Sequence, residues 1–300
     1  HGQSDNLLLV TYLSAKCPVF IAPAMDLDMY KHKSTKDSLD KLATFGNAII
    51  PAEEGLLASG LSGAGRMAEP EHIVAFIVKH LKGLQPLSGK RVIVTAGPTY
   101  EPIDPVRFIG NHSSGLMGYE LADYAAKLGA EVVLVSGPTS LLVSDKTIKK
   151  FAVATAIEMN KVVLAHFETS DIFIGAAAVA DYRPAQVYDQ KIKKESLANP
   201  NIELIKNPDI IAGLGKIKKH QCLVGFALET QDVLDNGTKK LHAKNLDAIV
   251  LNSLEDPGAG FGHKTNKVQF LSHKNGLKSF PLKSKKAVAI DLWNEILKEL

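Results

Sequence analysis

Three lysine positions in this 300-residue chain have the spacing of a polyanion site. Lys240 and Lys244 stand four apart in a helical stretch, so both ammonium groups fall on one face and could meet a single polyphosphate. Lys191 opens the run KIKK, residues 191–194, on a Pro-containing loop. A lysine on a mobile loop above the carboxyl edge of a sheet is what phosphoryl or nucleotidyl transfer needs, because charge builds on the phosphate oxygens in the transition state. A charge run is equally a solvated face, so KIKK alone decides nothing. Taken together, the three lysines predict a triphosphate.

The stretch GPTYEPIDPVRFIGNHSSGLMG, residues 97–118, follows a run of β-branched residues and leads into a helical pattern. A dinucleotide fold would carry three spaced glycines here, and a P-loop would carry a lysine just before the helix; neither is present. A nicotinamide dehydrogenase is therefore disfavoured. What remains is a helix N-terminus whose free N–H groups at Ser113, Ser114 and Gly115 could donate to a phosphate, with Gly115 and Gly118 carrying no side chain to block it. Asn111 or Ser113 could equally be an ordinary cap. Further on, DIFIGAAAVADYRPA ends a strand in small residues and delivers Asp181, where close helix packing is the competing explanation. Cys17 and Cys222 have no metal or redox spacing, and both are expected as buried small hydrophobes.

These residues need a frame. From RVIVTAG onward, continuous β-branched strands alternate with helices, with strands at EVVLVSG, KKFAVAT, DIFIGAAAV, CLVGFAL and LDAIVLNS. Helices are expected at 115–127, 156–167, 208–217 and 233–244. This pattern implies a mainly parallel sheet covered on both faces, where ligands gather at the carboxyl ends of strands. KVQFLS and LKSFPL flank HKNG as an antiparallel hairpin, and an amphipathic helix closes the chain. Residues 85–90, within GLQPLSGK, read as a linker between a first block, 1–84, and a second, 91–300. The first block holds a helix then a buried strand at PVFIAP, a strand at NAIIPA, a glycine-rich loop GLLASGLSGAGRMAEP and a helix over 71–82. It opens on His1 and runs at once into structure, which reads as part of a longer polypeptide.

A hydrophobic content of 45%, 22% charged residues and a net charge of +3 describe an ordinary globular chain. Its lysines are dispersed without interleaved aromatics, which argues against nucleic acid. No apolar run reaches the roughly 20 residues of a membrane span, and no signal pattern opens the chain, so a cytoplasmic protein is expected.

Six ordered motifs, TAGPTYEPIDPVRFIGNHSSGLMG, AAAVADYRPA, KIKK, NPDI, LVGFALET and KLHAKNLDAIV, resemble phosphopantothenate–cysteine ligase, the second half of the bifunctional bacterial coenzyme A biosynthesis flavoprotein. APAMDLDMY and GLLASGLSGAGRMAEP resemble the tail of its partner half, phosphopantothenoylcysteine decarboxylase. The resemblance implies a three-layer Rossmann-like α/β sheet with a small antiparallel hairpin extension, preceded by a partial flavoprotein fragment. It implies a ligase that joins 4′-phosphopantothenate to L-cysteine through an acyl-cytidylate, with CTP and Mg2+; some members use ATP, and the bifunctional pattern favours CTP. Lys191 then matches the lysine stabilising the first transfer, and Asn111 the residue holding the reacting carboxyl, with Ala177, Ala178 and Asp181 beside it. Gly97, Ser113, Gly115 and Gly118 match the phosphate site of phosphopantothenate. Asp181, Lys191, Pro208, Asp209, Ile210, Ile211, Phe226, Lys240 and Lys244 match the CTP positions. Arg107 matches an arginine supplied across a dimer interface, which implies a homodimer and leaves room for a higher oligomer of the full-length protein.

Two positions depart from the decarboxylase pattern. Ser59 stands where the family has its proton-donating cysteine, and a hydroxyl is a weaker acid by several pKa units. Asp26 stands where PAMN would place asparagine. The family's flavin-phosphate segment and catalytic histidine belong upstream of these residues, so neither FMN binding nor decarboxylation is expected of the 300 residues themselves. Two alternatives remain: an FMN-dependent phosphopantothenoylcysteine decarboxylase in the full-length protein, with Ser59 at the proton-donor position, and a non-catalytic nucleotide-binding module.

Overall fold

The computed structural model describes residues 4–83, 85–193, 201–229, 231–253, 258 and 262–300, and the chain divides into two compact units, His1–Leu84 and Gln85–Leu300. In the first, α1 (Leu7–Ser14) starts where Asn6 caps the Leu9 amide at 3.0 Å. Strands β1 (Phe20–Ile21) and β2 (Ala48–Ile49) pair in parallel, with α2 (Leu27–Lys31) and α3 (Lys33–Thr44) between them in sequence. PVFIAP thus contributes only two half-buried strand residues rather than a buried strand. The glycine-rich segment is not an open loop: β3 (Glu53–Leu56) and β4 (Ser62–Arg66) form an antiparallel hairpin, followed by α4 (Pro70–Gly83). Cys17 is exposed, contrary to expectation, because it sits in the turn between α1 and β1; Cys222 is buried in the second unit.

The second unit is built on one eight-stranded sheet. Its strands are β5 (Arg91–Ala96), β8 (Glu131–Ser136), β9 (Lys149–Ala152), β10 (Ile172–Gly175), β13 (Cys222–Glu229), β14 (Ala248–Ser253), β15 (Thr265–Ser272) and β16 (Gly276–Ser284), in the order β16-β15-β14-β13-β10-β5-β8-β9. Pairing is parallel from β14 to β9. The closing hairpin, β15 and β16, extends this sheet antiparallel to β14. Two further hairpin-like pairs lie in stretches read as loops. β6 (Tyr100–Pro102) pairs with β7 (Phe108–Gly110), and β11 (Tyr182–Pro184) pairs with β12 (Leu204–Lys206).

The β-branched runs form strands because both faces of the sheet are covered. Val92 and Val94 face α5 (Leu116–Lys127) and α9 (Lys285–Glu299), where Leu121, Ala122, Leu292 and Trp293 are fully buried. Ile93 faces the other side, packing with α6 (Ala156–Phe167), α7 (Ile210–Ile217) and α8 (Val233–Ala243) through Met159, Val163, Leu214 and Leu241. Trp293 donates its indole N–H to the Leu121 carbonyl at 2.9 Å, satisfying its one polar atom inside that layer. A capping box at Thr155 and Glu158 starts α6, and the Ser284 hydroxyl accepts the Ala287 amide at 3.2 Å to start α9. Among the described residues no helix is long and apolar enough to cross a membrane.

Strand order reverses at the first strand. The chain runs from β5 outward through β8 and β9, then returns to lay β10 on the opposite edge of β5. In open parallel sheets the crevice for ligands lies at this reversal, outside the carboxyl ends of the strands.

Candidate active site

The loops leaving β5 and β10 diverge at the reversal and are then tied together. Ala178 donates its N–H to the Gly97 carbonyl at 2.9 Å, Thr99 donates to the Ala178 carbonyl at 3.2 Å, and the Asn111 amide donates to the same carbonyl at 3.1 Å. The buried Thr95 and Thr99 hydroxyls accept the amides of Ala177 and Ala180, at 3.3 and 2.9 Å. The small residues of AAAVA are therefore threaded between two loops that a larger side chain would separate.

Two adjoining cavities open here. The larger, about 370 Å³, is lined by Asn111, Ser113, Ser114 and Gly115 at the start of α5, by Ala177, Ala178 and Asp181, and by Phe226 and Lys240. The smaller, about 230 Å³, is lined by Pro208, Asp209, Ile210, Ile211 and Lys244, and shares Ala177, Asp181 and Phe226 with the first. Phe226, half-buried in β13, forms part of the wall of both. Gly115 is the N-cap of α5 at φ +80, a left-handed conformation that disfavours other residues, and no side chain caps the helix in its place. The expectation of free N–H groups here needs correction: the Ser113 amide donates to the Asn111 carbonyl at 2.9 Å and the Gly115 amide to the Ser113 hydroxyl at 3.3 Å, so a tight local turn uses the donors expected to face the cavity.

Lys240, Lys244 and Arg107 each meet a carboxylate. Lys240 pairs with Glu229, and Lys244 pairs with Asp209 at 2.8 Å. The expectation that one helical face would bring both lysines to one polyphosphate needs correction. α8 ends at Ala243, Lys244 takes the C-cap, and its side chain goes to Asp209 at the start of α7, so the two lysines serve adjacent cavities. Burial opposes ionisation of Asp209, yet hydrogen bonds from Lys244 and the Ala212 amide outweigh it and lower its pKa.

Arg107 meets the backbone beside Lys191, at Ile192, and lines neither cavity. At the tip of the β6–β7 hairpin, the Asp104 carboxylate accepts from Arg107 through Nε at 2.9 Å and through Nη2, which holds Asp104 well below the usual carboxylate range. Arg107 Nη2 also donates to the Ile192 carbonyl at 3.0 Å. Lys191 is exposed and lines neither cavity, and Lys194 lies outside the described residues.

Gly97 and Gly118 have packing reasons for being glycine. Gly97, at φ +76, faces the Gly137 backbone, with 3.1 Å between a built Cβ and the Gly137 oxygen; at Gly118 a Cβ would fall 2.6 Å from that of Ala96. Gly118 therefore brings α5 onto β5 and lines neither cavity. Residues not anticipated from sequence include Asn252, Asn266 and Lys285, which line the larger cavity, with Asn266 and Lys285 buried. They come from β14, β15 and the first residue of α9, so only the folded sheet gathers them; burial lowers the Lys285 pKa. Asn207 was within reach of the sequence as the first residue of NPDI; its amide donates to the Ala180 carbonyl at 2.8 Å.

In the first unit, Ser59 lies between β3 and β4 and donates its hydroxyl to the Asp26 carboxylate at 3.0 Å. Asp26 also caps α2, accepting the Leu27 amide at 2.7 Å, and β4 is pinned by the Met25 amide, which donates to the Gly65 carbonyl at 2.9 Å.

Residues 87–300 match the family of the DNA/pantothenate metabolism flavoprotein C-terminal domain. The chain belongs to this family. Residues 1–82 match the flavoprotein family. The coenzyme A biosynthesis bifunctional protein CoaBC of Bacillus subtilis (strain 168) is 45% identical over 99% of this chain and 73% of its own length, and that of Escherichia coli (strain K12) is 41% identical with the same coverage. A protein from an unidentified prokaryote named cysteine/cysteine sulfinic acid decarboxylase is 54% identical over 99% of this chain and 84% of its own. The crystal structure of the C-terminal domain of CoaBC superposes with a TM-score of 0.61 at 40% identity, covering 71% of this chain and 97% of that one. The large, mostly parallel sheet with helices on its faces is the form of this family.

Gly118→Ala is expected to destabilise the second unit by about 1–3 kcal/mol, because the added methyl must push α5 off β5. Urea unfolding followed by circular dichroism reads this, and an unchanged midpoint would show that the helix moves freely.

Proposed function

We propose that the chain is a ligase of coenzyme A biosynthesis, joining 4′-phosphopantothenate to L-cysteine with cleavage of CTP to CMP and pyrophosphate. The observation that carries this reading is the pair of adjoining cavities at the strand reversal, walled by Phe226 and each with a lysine. Ser113, Ser114 and Gly115 at the start of α5 would take the phosphate of phosphopantothenate, the Gly115 amide exchanging the Ser113 hydroxyl for a phosphate oxygen, and Asn111, beside Ala178, would hold its carboxylate. Pro208 to Ile211, Phe226 and Lys244 would hold the nucleoside end of CTP, with Asp181 between the substrates and Lys240 on the phosphates. Mg2+ would come with the triphosphate, since it is usually held by substrate phosphates and few protein groups.

A carboxylate oxygen attacks the α-phosphorus and pyrophosphate leaves, giving the acyl-cytidylate. The cysteine amine, as the free base, then attacks the acyl carbon; CMP leaves with the bridging oxygen, and the amine proton passes to solvent. Lys191 would offset the charge on the phosphate oxygens in the first step. Arg107 would act across a homodimer interface, and a cytoplasmic location fits such an enzyme.

A second reading is favoured by the 54% identity to a protein named for decarboxylating cysteine and cysteine sulfinic acid. The Ser59–Asp26 hydrogen bond offers that chemistry a hydroxyl–carboxylate pair on a pinned hairpin. The flavin that the resemblance implies would supply the redox chemistry of decarboxylation when bound. From this chain, Asp26 would orient the Ser59 hydroxyl toward substrate.

Pyrophosphate release from CTP is expected to require phosphopantothenate and to exceed release from ATP. Lys191→Gln should slow it by about 10²–10³-fold, the loss expected from removing one group that stabilises charge in the transition state, and Asn111→Asp should slow it by at least about tenfold through repulsion of the substrate carboxylate. Near-normal rates remove either residue from its role, and tight CTP binding without turnover would indicate a non-catalytic nucleotide module. In parallel, carbon dioxide release from cysteine or cysteine sulfinate with added FMN should be absent if the ligase reading is complete, and present, and lost in Ser59→Ala, if the second reading holds.

A further inference from the structure

The side chain of Asp104 is completely shielded from solvent at the tip of the β6–β7 hairpin. Closing that turn needs only one of its oxygens: Oδ1 accepts the amides of Val106 and Arg107, each at 2.9 Å, in the manner of an Asx turn. Oδ2 does different work. It accepts Arg107 Nε at 2.9 Å and Nη2, and also the backbone amide of Ile192 at 3.2 Å, 88 residues away in sequence. Arg107 Nη2 completes the ring by donating to the Ile192 carbonyl at 3.0 Å. A second tie fixes the same segment, since the Tyr188 amide donates to the Ile103 carbonyl at 2.9 Å. The peptide groups on both sides of Ile192 are thus held by one carboxylate and its arginine, and Lys191 is the residue immediately before.

We propose that Asp104 is a positioning residue that sets the reach of Lys191 and Arg107 together. This rests on the ligase reading above for what those two residues do. Lys191 has an exposed, flexible side chain, and a transfer step requires its ammonium group within a narrow range of the α-phosphate. With its backbone fixed at Ile192, only side-chain freedom remains to be lost in the transition state. Arg107 is oriented by the same oxygen, so the hairpin and the lysine segment move as one piece. The ionic form matters, because charge-assisted hydrogen bonds are about twice as strong as neutral ones.

Asp104→Asn separates the two jobs. Its amide oxygen can still close the turn at Val106 and Arg107, while its NH2 would face three donors, Arg107 Nε, Arg107 Nη2 and the Ile192 amide. In the full chain, kcat for phosphopantothenate-dependent pyrophosphate release should fall about 10²-fold, the loss that a displacement of about 1 Å can cause, with KM for CTP changed less than threefold. In a Lys191→Gln background with measurable residual rate, Asp104→Asn should lower kcat less than threefold further, since both changes remove the same positioned group. A kcat within threefold of wild type, full multiplication of the two losses, or an effect confined to KM would overturn the proposal. Ile192→Pro deletes the bonded amide from the other side and should show the same kcat loss if Asp104→Asn does not fold. Hydrogen exchange at the Ile192 amide is independent of activity and is expected to speed up at least tenfold in Asp104→Asn. If wild type releases no pyrophosphate, the ligase reading fails, and this exchange decides whether Asp104 holds the segment; unchanged exchange overturns the brace.

Discussion

The arrangement of the second unit follows from one pairing. β10 lies against the edge of β5 that β8 leaves free, in parallel register from Ile172 with Val92 to Gly175 with Thr95. A central strand paired in parallel on both edges sends its own loop and its neighbour's in different directions at the carboxyl end. Ala178 then receives Asn111 and Thr99 on its carbonyl and donates to Gly97, closing the gap at its base while leaving it open above. The cavities, the start of α5 and the walls provided by Phe226 all lie around that closure. Gly118 lets α5 come down onto β5 and so fixes the height of the helix terminus beside it.

Electrostatics at the site share a second constraint. Lys240 is paired with Glu229, Lys244 with Asp209 and Arg107 with Asp104. Where such pairs stay open to solvent, as Lys244–Asp209 does, they add little stability, with a median of about 0–1 kcal/mol. Their use here is geometric: a lysine held by a carboxylate has already lost much of its rotamer freedom. An anion entering either cavity would have to compete with that carboxylate. Asp104 differs from the other two because its side chain is shielded from solvent and bound by the amides of Val106, Arg107 and the distant Ile192, so its arginine is not offered for exchange on the same terms.

Much of this was readable from residue types. Strands β5, β8, β13 and β14 are continuous β-branched or leucine-rich runs because both faces are covered, and such runs stand out against polar loops. NHSSG and Phe226 were found because their positions follow from strand ends. The three-residue strands of the β6–β7 and β11–β12 pairs were not legible, since they are held by tertiary pairing and show no period of their own. The β3–β4 hairpin was hidden by its glycines, which weigh against strand. Asn252, Asn266 and Lys285 interrupt otherwise apolar or amphipathic patterns far apart in sequence, so only the sheet's order shows that they face one cavity. The pairing of Lys244 with Lys240 on one helical face was misread because α8 ends at Ala243, one residue before Lys244, and a helix boundary is where pattern reasoning is weakest.

The central claim is chemical: the acid substrate attacks the nucleotide at its α-phosphorus. Phosphopantothenate labelled with 18O in both carboxyl oxygens, incubated with CTP, Mg2+ and cysteine, tests it directly by mass spectrometry of the products. The account predicts CMP carrying one 18O, with pyrophosphate unlabelled, because the bridging oxygen departs with CMP when the cysteine amine attacks. Labelled orthophosphate with CDP, or turnover yielding unlabelled CMP, would contradict it.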